Sequence, residues 1–439
     1  MNIKPLYQPA GIFNNAFINP RFMVRDEGGE WTPVSWQEYG RNVLNIVAAL
    51  HKLGCGNNDK ICILADNSLE WIYCGMAVMA SGAVLVPVYS GSTTEQSAYI
   101  LNHSDAQLVF VQNYESVEPM IQSDALPNLK YIVAMNGKTD DADIRQTLFT
   151  LNEFSTMGES ALQADPGLQD VLEQEKEKDV IAQLLYTSGT TGPPKGVPLS
   201  YGNLFASTQD WLKINGPSIR KNSVDLHWLP NSHIFGWGSI GLGNILGFTS
   251  YLTNPMEVLE LLPTLKPHLF MSVPLYYEKL YSIALLSSDK REEQLAFLRR
   301  LTGGRLSFLL SGGAGLKISI KEFFLDAGMF ITEGYGLTEC SPTLTMNEPG
   351  DYNFNSVGKP YPCVQLKLAN DGEILAKGPV VFSGYYKDPE ATKLAFTRDG
   401  WFKTGDLGEW LDSKYLQITG RKKEILVTTG GKNISAPNI

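Results

Sequence analysis

Short apolar runs rich in β-branched residues alternate with longer helical segments along most of this chain. Strands that alternate with helices in this way indicate parallel sheets covered by helices. Such sheets hold their ligands at the carboxyl ends of the strands. The runs that we interpret as strands are 60–65, 108–111, 131–134, 184–186, 269–273 and 306–310, and the helical segments include 36–53 and 320–327. The sequence therefore predicts an α/β fold with mainly parallel sheets.

The character of the sequence changes at two places. Residues 152–179 are polar and acidic, which favours a solvated linker and a surface helix. From about residue 354 to residue 416, Gly and Pro are frequent and the apolar runs are shorter, as in a small antiparallel sheet or barrel. We expect two α/β subdomains followed by a smaller β-barrel-like subdomain, together forming one large N-terminal domain. Their approximate bounds are 1–178, 179–353 and 354–418 within a domain of 1–418.

The uncharged run over residues 71–89 is the one candidate for a membrane span. It is interrupted by Gly75, Gly82 and Pro87, and its length is marginal for crossing a bilayer. Glycine after a last helical turn is a normal helix end. We interpret the run as a buried helix that ends near Gly82, followed by a strand over 84–89. At most a peripheral membrane association is expected.

The overall charge and the cysteines narrow the functional classes. The net charge is −10, whereas a nucleic-acid-binding surface needs a basic face. Five cysteines without a CxxC pair argue against a disulfide framework. The N-terminal sequence lacks the pattern of a secretory signal peptide. We therefore expect a cytoplasmic protein that binds no nucleic acid.

The sequence Tyr-Thr-Ser-Gly-Thr-Thr-Gly-Pro-Pro-Lys-Gly, over residues 186–196, has the composition of a phosphate-binding loop. It follows the apolar strand 181–185 and precedes a helix that we expect to begin near Tyr201. Glycines let backbone N–H groups converge on an anion, hydroxyls add donors, and Lys195 adds positive charge, which suits a triphosphate. The spacing of Gly192 and Lys195 does not match a Walker A motif. A surface turn rich in Ser, Thr and Gly is the alternative.

The whole string resembles the phosphate-binding loop of the adenylate-forming superfamily, which includes acyl-CoA synthetases, luciferases and the adenylation domains of peptide synthetases. Further segments resemble that family's motifs and follow the family's order, so that the resemblance covers about residues 36–439. The segments are 229–233 (Leu-Pro-Asn-Ser-His), 311–314 (Ser-Gly-Gly-Ala), 335–339 (Tyr-Gly-Leu-Thr-Glu), 371–373 with 384–385, 404–406 (Thr-Gly-Asp) and 420–424 (Gly-Arg-Lys-Lys-Glu). Among the members, long-chain fatty-acid–CoA ligases are the most similar.

The resemblance implies a role for each matching residue on the ATP side. The residues that would bind the β- and γ-phosphates are Thr187, Ser188, Gly189, Thr190, Thr191, Gly192 and Lys195. Glu339, a hard oxygen ligand, would bind Mg²⁺ together with Thr187, and Thr338 would contact the α-phosphate. Tyr335 would stack on adenine, while Asp406 would bind ribose. The full set expected around the nucleoside is Gly313, Ala314, Glu333, Gly334, Tyr335, Gly336, Asp406 and Arg421.

The same resemblance places the acyl substrate beside His233, which would position the carboxylate or close the acyl pocket. Trp237, four residues further on, would gate a lipid tunnel, with core packing as the alternative. Lys423 would be the hinge before a small C-terminal domain, whose truncated start we expect over residues 419–439. The expected catalytic residues are Lys195, His233, Thr338 and Glu339.

These roles imply two-step activation of a carboxylic acid, favoured to be a medium- or long-chain fatty acid, with ATP, Mg²⁺ and CoA. The carboxylate attacks the α-phosphate of ATP, and the CoA thiol then displaces AMP. Apart from His233 itself, residues 233–250 carry no ionisable side chain, which favours an apolar acid. An acyl carrier protein as the acceptor is one alternative. A non-catalytic nucleotide- or acyl-adenylate-binding module is another, because the sequence ends at Ile439, before the family's adenylation lysine would occur, so that we expect poor turnover.

Overall fold

The computed structural model of the protein describes residues 11–12, 17–137, 145–187, 193–422, 425–427 and 433–435. The chain forms two compact units, each built from two stretches of sequence. The first unit contains residues 1–201 and 220–258, and the second contains residues 202–219 and 259–439. The subdomain boundaries expected near 178 and 353 stay a prediction.

The strands and helices alternate along the chain as the apolar runs predict. The strands are β1 (Phe22–Arg25), β2 (Trp31–Val34), β3 (Lys60–Leu64), β4 (Val84–Val88), β5 (Leu108–Val111), β6 (Tyr131–Ala134), β7 (Thr147–Thr150), β8 (Ile181–Thr187), β9 (Lys195–Ser200), β10 (Val224–His227), β11 (Thr249–Leu252), β12 (Leu269–Ser272), β13 (Phe308–Ser311), β14 (Ile331–Tyr335), β15 (Thr345–Met346), β16 (Lys359–Pro360), β17 (Gln365–Leu368), β18 (Glu373–Lys377), β19 (Phe402–Leu411), β20 (Tyr415–Arg421), β21 (Ile425–Val427) and β22 (Asn433–Ser435). The helices are α1 (Trp36–Lys52), α2 (Leu69–Ser81), α3 (Thr94–His103), α4 (Glu118–Gln122), α5 (Leu151–Ala164), α6 (Leu168–Leu172), α7 (Tyr201–Asn215), α8 (Ile234–Leu246), α9 (Val258–Leu265), α10 (Pro274–Leu285), α11 (Arg291–Leu301), α12 (Ile318–Asp326) and α13 (Pro389–Ala395).

The first unit contains a sheet with the strand order β7-β6-β5-β3-β4-β8-β9. Neighbouring strands are parallel except β8 and β9, which form an antiparallel hairpin. Every residue of β4 and β5 is buried, as expected for a parallel sheet covered on both faces. Helix α1 begins where Ser35 accepts a hydrogen bond from the Glu38 amide, which satisfies one of the unpaired donors of the first turn.

The uncharged run over residues 71–89 forms a helix and then a strand, as predicted. Helix α2 ends at Ser81, and Gly82 follows in the left-handed conformation with a φ of 84°. Strand β4 then begins at Val84. Within the part of the chain that the structure describes, no helix combines the length and apolarity that a membrane crossing requires.

Strand β1 pairs with β2 and with a strand that comes much later in the chain. The order is β10-β11-β1-β2, in which β1 is parallel to β11. Arg21, just before β1, is fully buried and donates to Asn244 at 2.8 Å, to Ser250 at 3.1 Å and to the carbonyl of Ile240 at 2.8 Å. Ser250 in turn donates to buried Asp225 at 3.3 Å, and burial raises the pKa of this carboxyl to about 7. The network ties β1 to β10 and β11.

The second unit contains a mixed sheet and a separate antiparallel sheet. Strands β12, β13 and β14 are parallel neighbours, and β15 and β16 continue this sheet in antiparallel fashion. Strands β17 to β20 form an antiparallel sheet in chain order. It occupies the region where frequent Gly and Pro predicted a small antiparallel sheet or barrel. The predicted fold class is confirmed.

Individual strand predictions agree with the structure to within three residues at either end, and the largest difference is at β8, predicted at 184–186 and observed over Ile181–Thr187. Those at 108–111 and 131–134 are confirmed at both ends, whereas the strand predicted at 306–310 begins at Phe308. The five cysteines are free thiols, as expected, and burial raises the pKa of the Cys62 thiol to about 12.

Candidate functional site

The phosphate-loop motif lies in the hairpin formed by β8 and β9. Thr187, the last residue of β8, is paired in register with Lys195, the first residue of β9. Directly opposed residues of antiparallel strands have Cα atoms roughly 4.5–5.5 Å apart, so the hairpin brings this hydroxyl and this exposed ammonium group together. The strand before the motif and the helix start at Tyr201 are confirmed, whereas β9 was not predicted. The loop residues outside the described part are Ser188, Gly189, Thr190, Thr191 and Gly192.

His233 precedes α8, on a turn that Asn67 holds from both sides. The Asn67 Nδ2 atom donates to the Leu229 carbonyl at 2.7 Å, and its Oδ1 accepts from the Asn231 amide at 2.8 Å. The His233 side chain is exposed, and its ring centroid lies 5.9 Å from that of Tyr89. Partial desolvation lowers the pKa of His233 below its ordinary value. A neutral imidazole on a fixed turn is therefore available to a substrate.

A second histidine, which no sequence motif marks, lies against the same turn. His227 ends β10 and is buried, with Nε2 2.8 Å from Asn231 Oδ1 and Nδ1 3.0 Å from Ser239 Oγ. Burial lowers the pKa of His227 to about 4, so its imidazole is neutral at pH 7. Through Asn231 and Ser239, His227 therefore connects β10 to the turn that carries His233 and to α8.

Trp237 is buried in the core of the first unit. Its ring meets Trp71 edge to face with the centroids 5.0 Å apart, and its Nε1–H group donates to the Met79 sulfur at 3.3 Å. Gly75 leaves the space for this ring, since a Cβ atom there would lie 2.8 Å from Trp237 Cη2. The packing that we gave as the alternative is therefore present, and the gating role stays a prediction.

In the second unit, three of the residues expected around the nucleoside are in contact. The Tyr335 hydroxyl donates to Asp406 Oδ2 at 2.8 Å, and Arg421 Nε lies 2.9 Å from Asp406 Oδ1. Asp406 is only 3% exposed. Burial first, and the neighbouring carboxylate second, raise the pKa of Tyr335, so its hydroxyl stays a donor. Glu373 holds the preceding turn by accepting from the Gly405 amide at 3.2 Å.

The segment expected on the adenine side forms a loop at the carboxyl end of β13. Ser311 is buried and is paired in register with Glu333 on β14. Gly313 has a φ of 86°, a conformation that disfavours other residues, and it is exposed together with Ala314. Glu333 directs its carboxylate into the protein, towards Lys321.

The two glycines that flank Tyr335 are both closely approached by backbone. A Cβ atom at Gly336 would lie 1.7 Å from the carbonyl oxygen of Pro342, and one at Gly334 would lie 3.0 Å from that of Thr345. Close backbone approach therefore requires glycine at Gly336, whatever else this position does.

Glu339 lies in the short 3-10 helix Thr338–Cys340. The Tyr385 hydroxyl donates to Glu339 Oε1 at 2.9 Å, and the Phe382 amide donates to the Glu339 carbonyl at 2.9 Å. An ionised carboxylate offers about four acceptor sites, so most of its capacity remains for a cation. The chemistry of this group fits Mg²⁺. Lys423, expected at the hinge, lies outside the described residues.

Comparison with known protein families gives one match that covers most of the chain. The family of AMP-binding enzymes matches residues 15–386. The long-chain-fatty-acid–CoA ligase FadD15 of Mycobacterium bovis is 33% identical, over 97% of this chain and 76% of that protein. The long-chain-fatty-acid–CoA ligase ACSBG2 of Mus musculus is 29% identical, over 99% of this chain and 72% of that protein.

Solved structures resemble the fold of this chain along nearly its whole length. The anthranilate CoA ligase AuaEII, solved with anthranoyl-AMP, has a TM-score of 0.80 and 22% identity, covering 99% of this chain and 82% of that one. The N-terminal domain of FACL13 from Mycobacterium tuberculosis has a TM-score of 0.72 and 21% identity, covering 96% of this chain and 99% of that one. At these identities the likeness supports the fold alone.

Proposed function

The chain belongs to the AMP-binding enzyme family, and from this premise we propose that it activates a medium- or long-chain fatty acid with ATP and transfers the acyl group to CoA. The general reaction, AMP-forming ligation of an acid to CoA, is supported by the fatty-acid–CoA ligases among the relatives. The observation that carries the proposal is the contact of Tyr335, Asp406 and Arg421, an aromatic face beside a buried carboxylate.

The reaction proceeds in two steps that need no covalent bond to the protein. A carboxylate oxygen of the fatty acid bonds to the α-phosphorus of ATP, and the bond from that phosphorus to the bridging oxygen breaks, which releases pyrophosphate. The CoA sulfur then bonds to the acyl carbon, AMP leaves, and the thiol proton passes to water. The protein contributes positioning of the reactants and neutralisation of charge.

The nucleoside is held by residues of the second unit in this proposal. The Tyr335 ring stacks on adenine, and Asp406 accepts from the ribose hydroxyls through the lone pairs that Tyr335 and Arg421 leave available. Gly313 and Ala314 are exposed and small, so the base approaches the backbone of their loop. Thr338 contacts the α-phosphate.

The triphosphate is held by the hairpin residues Thr187 and Lys195 with the glycine-rich loop between them. Glu339 would hold Mg²⁺, and the assignment of Thr187 to the same ion stays a prediction. When bound, Mg²⁺ would supply a compact positive charge that offsets the charge of the phosphate oxygens. Tyr385 orients the Glu339 carboxylate for this purpose.

An apolar acyl chain is supported by the residues around the His233 turn. Trp71, Trp237 and Met79 form a buried apolar cluster, and the helix that follows His233 carries no charged side chain. His233 itself is exposed on a turn that Asn67 fixes, which suits contact with the substrate carboxylate.

Isothermal titration with non-hydrolysable acyl-adenylate analogues tests the proposal. We expect palmitoyl and octanoyl analogues to bind more tightly than an aromatic one. Asp406→Asn should weaken every analogue, whereas Asp399→Asn, which alters an exposed carboxylate bonded to Lys367 in the same unit, should weaken none.

Acceptor identity is tested separately with a radiolabelled fatty acid, ATP, and either CoA or an acyl carrier protein. Thioester formation with CoA supports the proposal, and transfer to the carrier protein alone contradicts it. Folded protein that binds none of the analogues would exclude an intact adenylate site.

A further inference from the structure

A fully buried ion pair lies next to the residues expected around the nucleoside. Lys321 on α12 and Glu333 on β14 have side chains that are 3% and 4% exposed, with Nζ 2.6 Å from Oε2. The Lys321 ammonium group also donates to the Phe354 carbonyl at 2.8 Å. The ionised groups are thus paired and hydrogen-bonded, which is the condition under which buried charges are tolerated.

The second oxygen of Glu333 has a different partner. Its Oε1 accepts from the Leu316 amide at 2.8 Å. Leu316 is buried and ends the exposed loop that contains Gly313 and Ala314. The other end of that loop is held by Ser311, which is paired in register with Glu333. One carboxylate therefore fixes the far end of a loop whose near end is fixed by the sheet.

Strand geometry relates this loop to Tyr335. Side chains two residues apart on a strand project from the same face, and Glu333 and Tyr335 have this relation on β14. The carboxylate that anchors the loop and the ring assigned to adenine thus stand on one face of the strand.

Stability alone does not account for an ion pair at this place. Replacing a buried ion pair with apolar residues of similar volume is often neutral or stabilising. An apolar pair would, however, leave the buried Leu316 amide without the Glu333 acceptor. The anchored loop therefore requires the Glu333 carboxylate, and the buried carboxylate in turn requires the charge of Lys321.

We propose that Lys321 and Glu333 are positioning residues that hold the loop of Gly313 and Ala314 at the distance from Tyr335 that an adenine ring requires. The inference rests on the proposed function for the identity of the ligand, but not for the anchor itself. It gives Glu333 an indirect role in nucleotide binding, since its carboxylate contacts Lys321 and the Leu316 amide.

Two double variants of the full chain separate anchoring from packing. Lys321→Met with Glu333→Leu removes both charges and the acceptor, whereas Lys321→Met with Glu333→Gln removes the charges and keeps an acceptor oxygen for the Leu316 amide. We expect the Leu-containing variant to bind ATP about tenfold more weakly than the wild type, a change of about 1.4 kcal/mol, because the buried Leu316 amide loses its acceptor. The Gln-containing variant should bind ATP at least about threefold more tightly than the Leu-containing variant, because its amide oxygen still accepts from the Leu316 amide.

Hydrogen exchange without nucleotide measures the anchor itself, and acceleration confined to residues 312–316 distinguishes a local anchor from a general loss of stability. In the wild type, the Leu316 amide should exchange far more slowly than that of exposed Gly313, and this comparison needs no variant. In the Leu-containing variant, exchange at residues 312–316 should accelerate at least tenfold, with no acceleration in the Gln-containing variant.

The possible outcomes are distinguishable. Equal exchange of Leu316 and Gly313 in the wild type, or equal behaviour of the two double variants, overturns the anchor. If hydrogen exchange follows the expected pattern but the wild type binds no ATP, the anchor is supported and the proposed function is rejected. ATP binding that is unaffected by faster loop exchange rejects the link between the anchor and the nucleotide.

Discussion

Replacing Tyr335 separates its hydroxyl from its ring. Tyr335→Phe removes the donor that lies 2.8 Å from Asp406 Oδ2 and leaves the aromatic face in place. Tyr335→Leu removes both. Asp406 keeps Arg421 on its other oxygen in either variant, so the carboxylate remains paired. The difference in AMP affinity between the two variants therefore measures the contribution of the aromatic ring alone.

The magnitudes follow from the burial of Asp406. A hydrogen bond to a charged group contributes about 1.5–3 kcal/mol, so Tyr335→Phe should lower the free energy of unfolding by about 2 kcal/mol. For a unit of this size, the corresponding decrease in Tm is roughly 4–8 °C. Stacking on an aromatic ring contributes about 1–3 kcal/mol per base, so Tyr335→Leu should weaken AMP binding roughly 5- to 150-fold. Tyr335→Phe should weaken it by no more than about threefold.

Isothermal titration with AMP and thermal denaturation of each variant provide the measurements. Tyr281→Phe is the matched control, because it removes a tyrosine hydroxyl in the same unit for which the described residues provide no hydrogen bond. It should change neither Tm nor affinity. If Tyr335→Phe loses as much affinity as Tyr335→Leu while the control is unchanged, the hydroxyl holds the nucleotide and the stacking assignment is wrong.

Three further predictions test other parts of the molecule. Because burial lowers the pKa of His227 from 6.5 to about 4, the unfolded state binds its proton more strongly and stability falls as the pH drops below 6.5. Between pH 7 and pH 5 the free energy of unfolding, measured by urea titration, should fall by about 2 kcal/mol more in the wild type than in His227→Gln. Equal decreases would contradict the buried neutral state of His227. Gly75→Ala should displace Trp237 and weaken palmitoyl-adenylate binding several-fold. The control Gly238→Ala should not weaken it, because a Cβ atom there lies in open space. Equal effects of the two variants would exclude an acyl role for the tryptophan. Tyr385→Phe should raise the Mg²⁺ concentration for half-maximal thioester formation about tenfold without changing the KM for the fatty acid, and an unchanged requirement would place the metal elsewhere.

Sequence predicts the elements of this fold where the signal is local. The strands β5 and β6 and the helix end at Gly82 follow from run length, β-branched residues and a glycine after the last turn. Strands β9 and β14 were missed, because Pro198 and Gly334 interrupt their apolar pattern. Their strand character comes from pairing with neighbours, which a single stretch of sequence does not contain.

The candidate site was predictable only as far as its motifs extend. Tyr335 and Asp406 are 71 positions apart, and only the family resemblance linked them before the structure showed the hydrogen bond. His227 and Lys321 could not be found at all, because a single polar residue in an apolar element carries no information about its partner. Both are buried, and their roles follow from contacts made by folding.

The pairing of β1 with β11 has a consequence for the order in which the protein is made. Arg21 and Ser250 are 229 positions apart, so the hydrogen bond between them can form only after both residues have left the ribosome. At about 5–20 residues per second, roughly 10–45 s of synthesis separate the two. Pairings this distant in sequence also slow folding itself. Strand β1 is therefore synthesised well before the strand that completes its pairing, and until β11 emerges only β2 is available to pair with it.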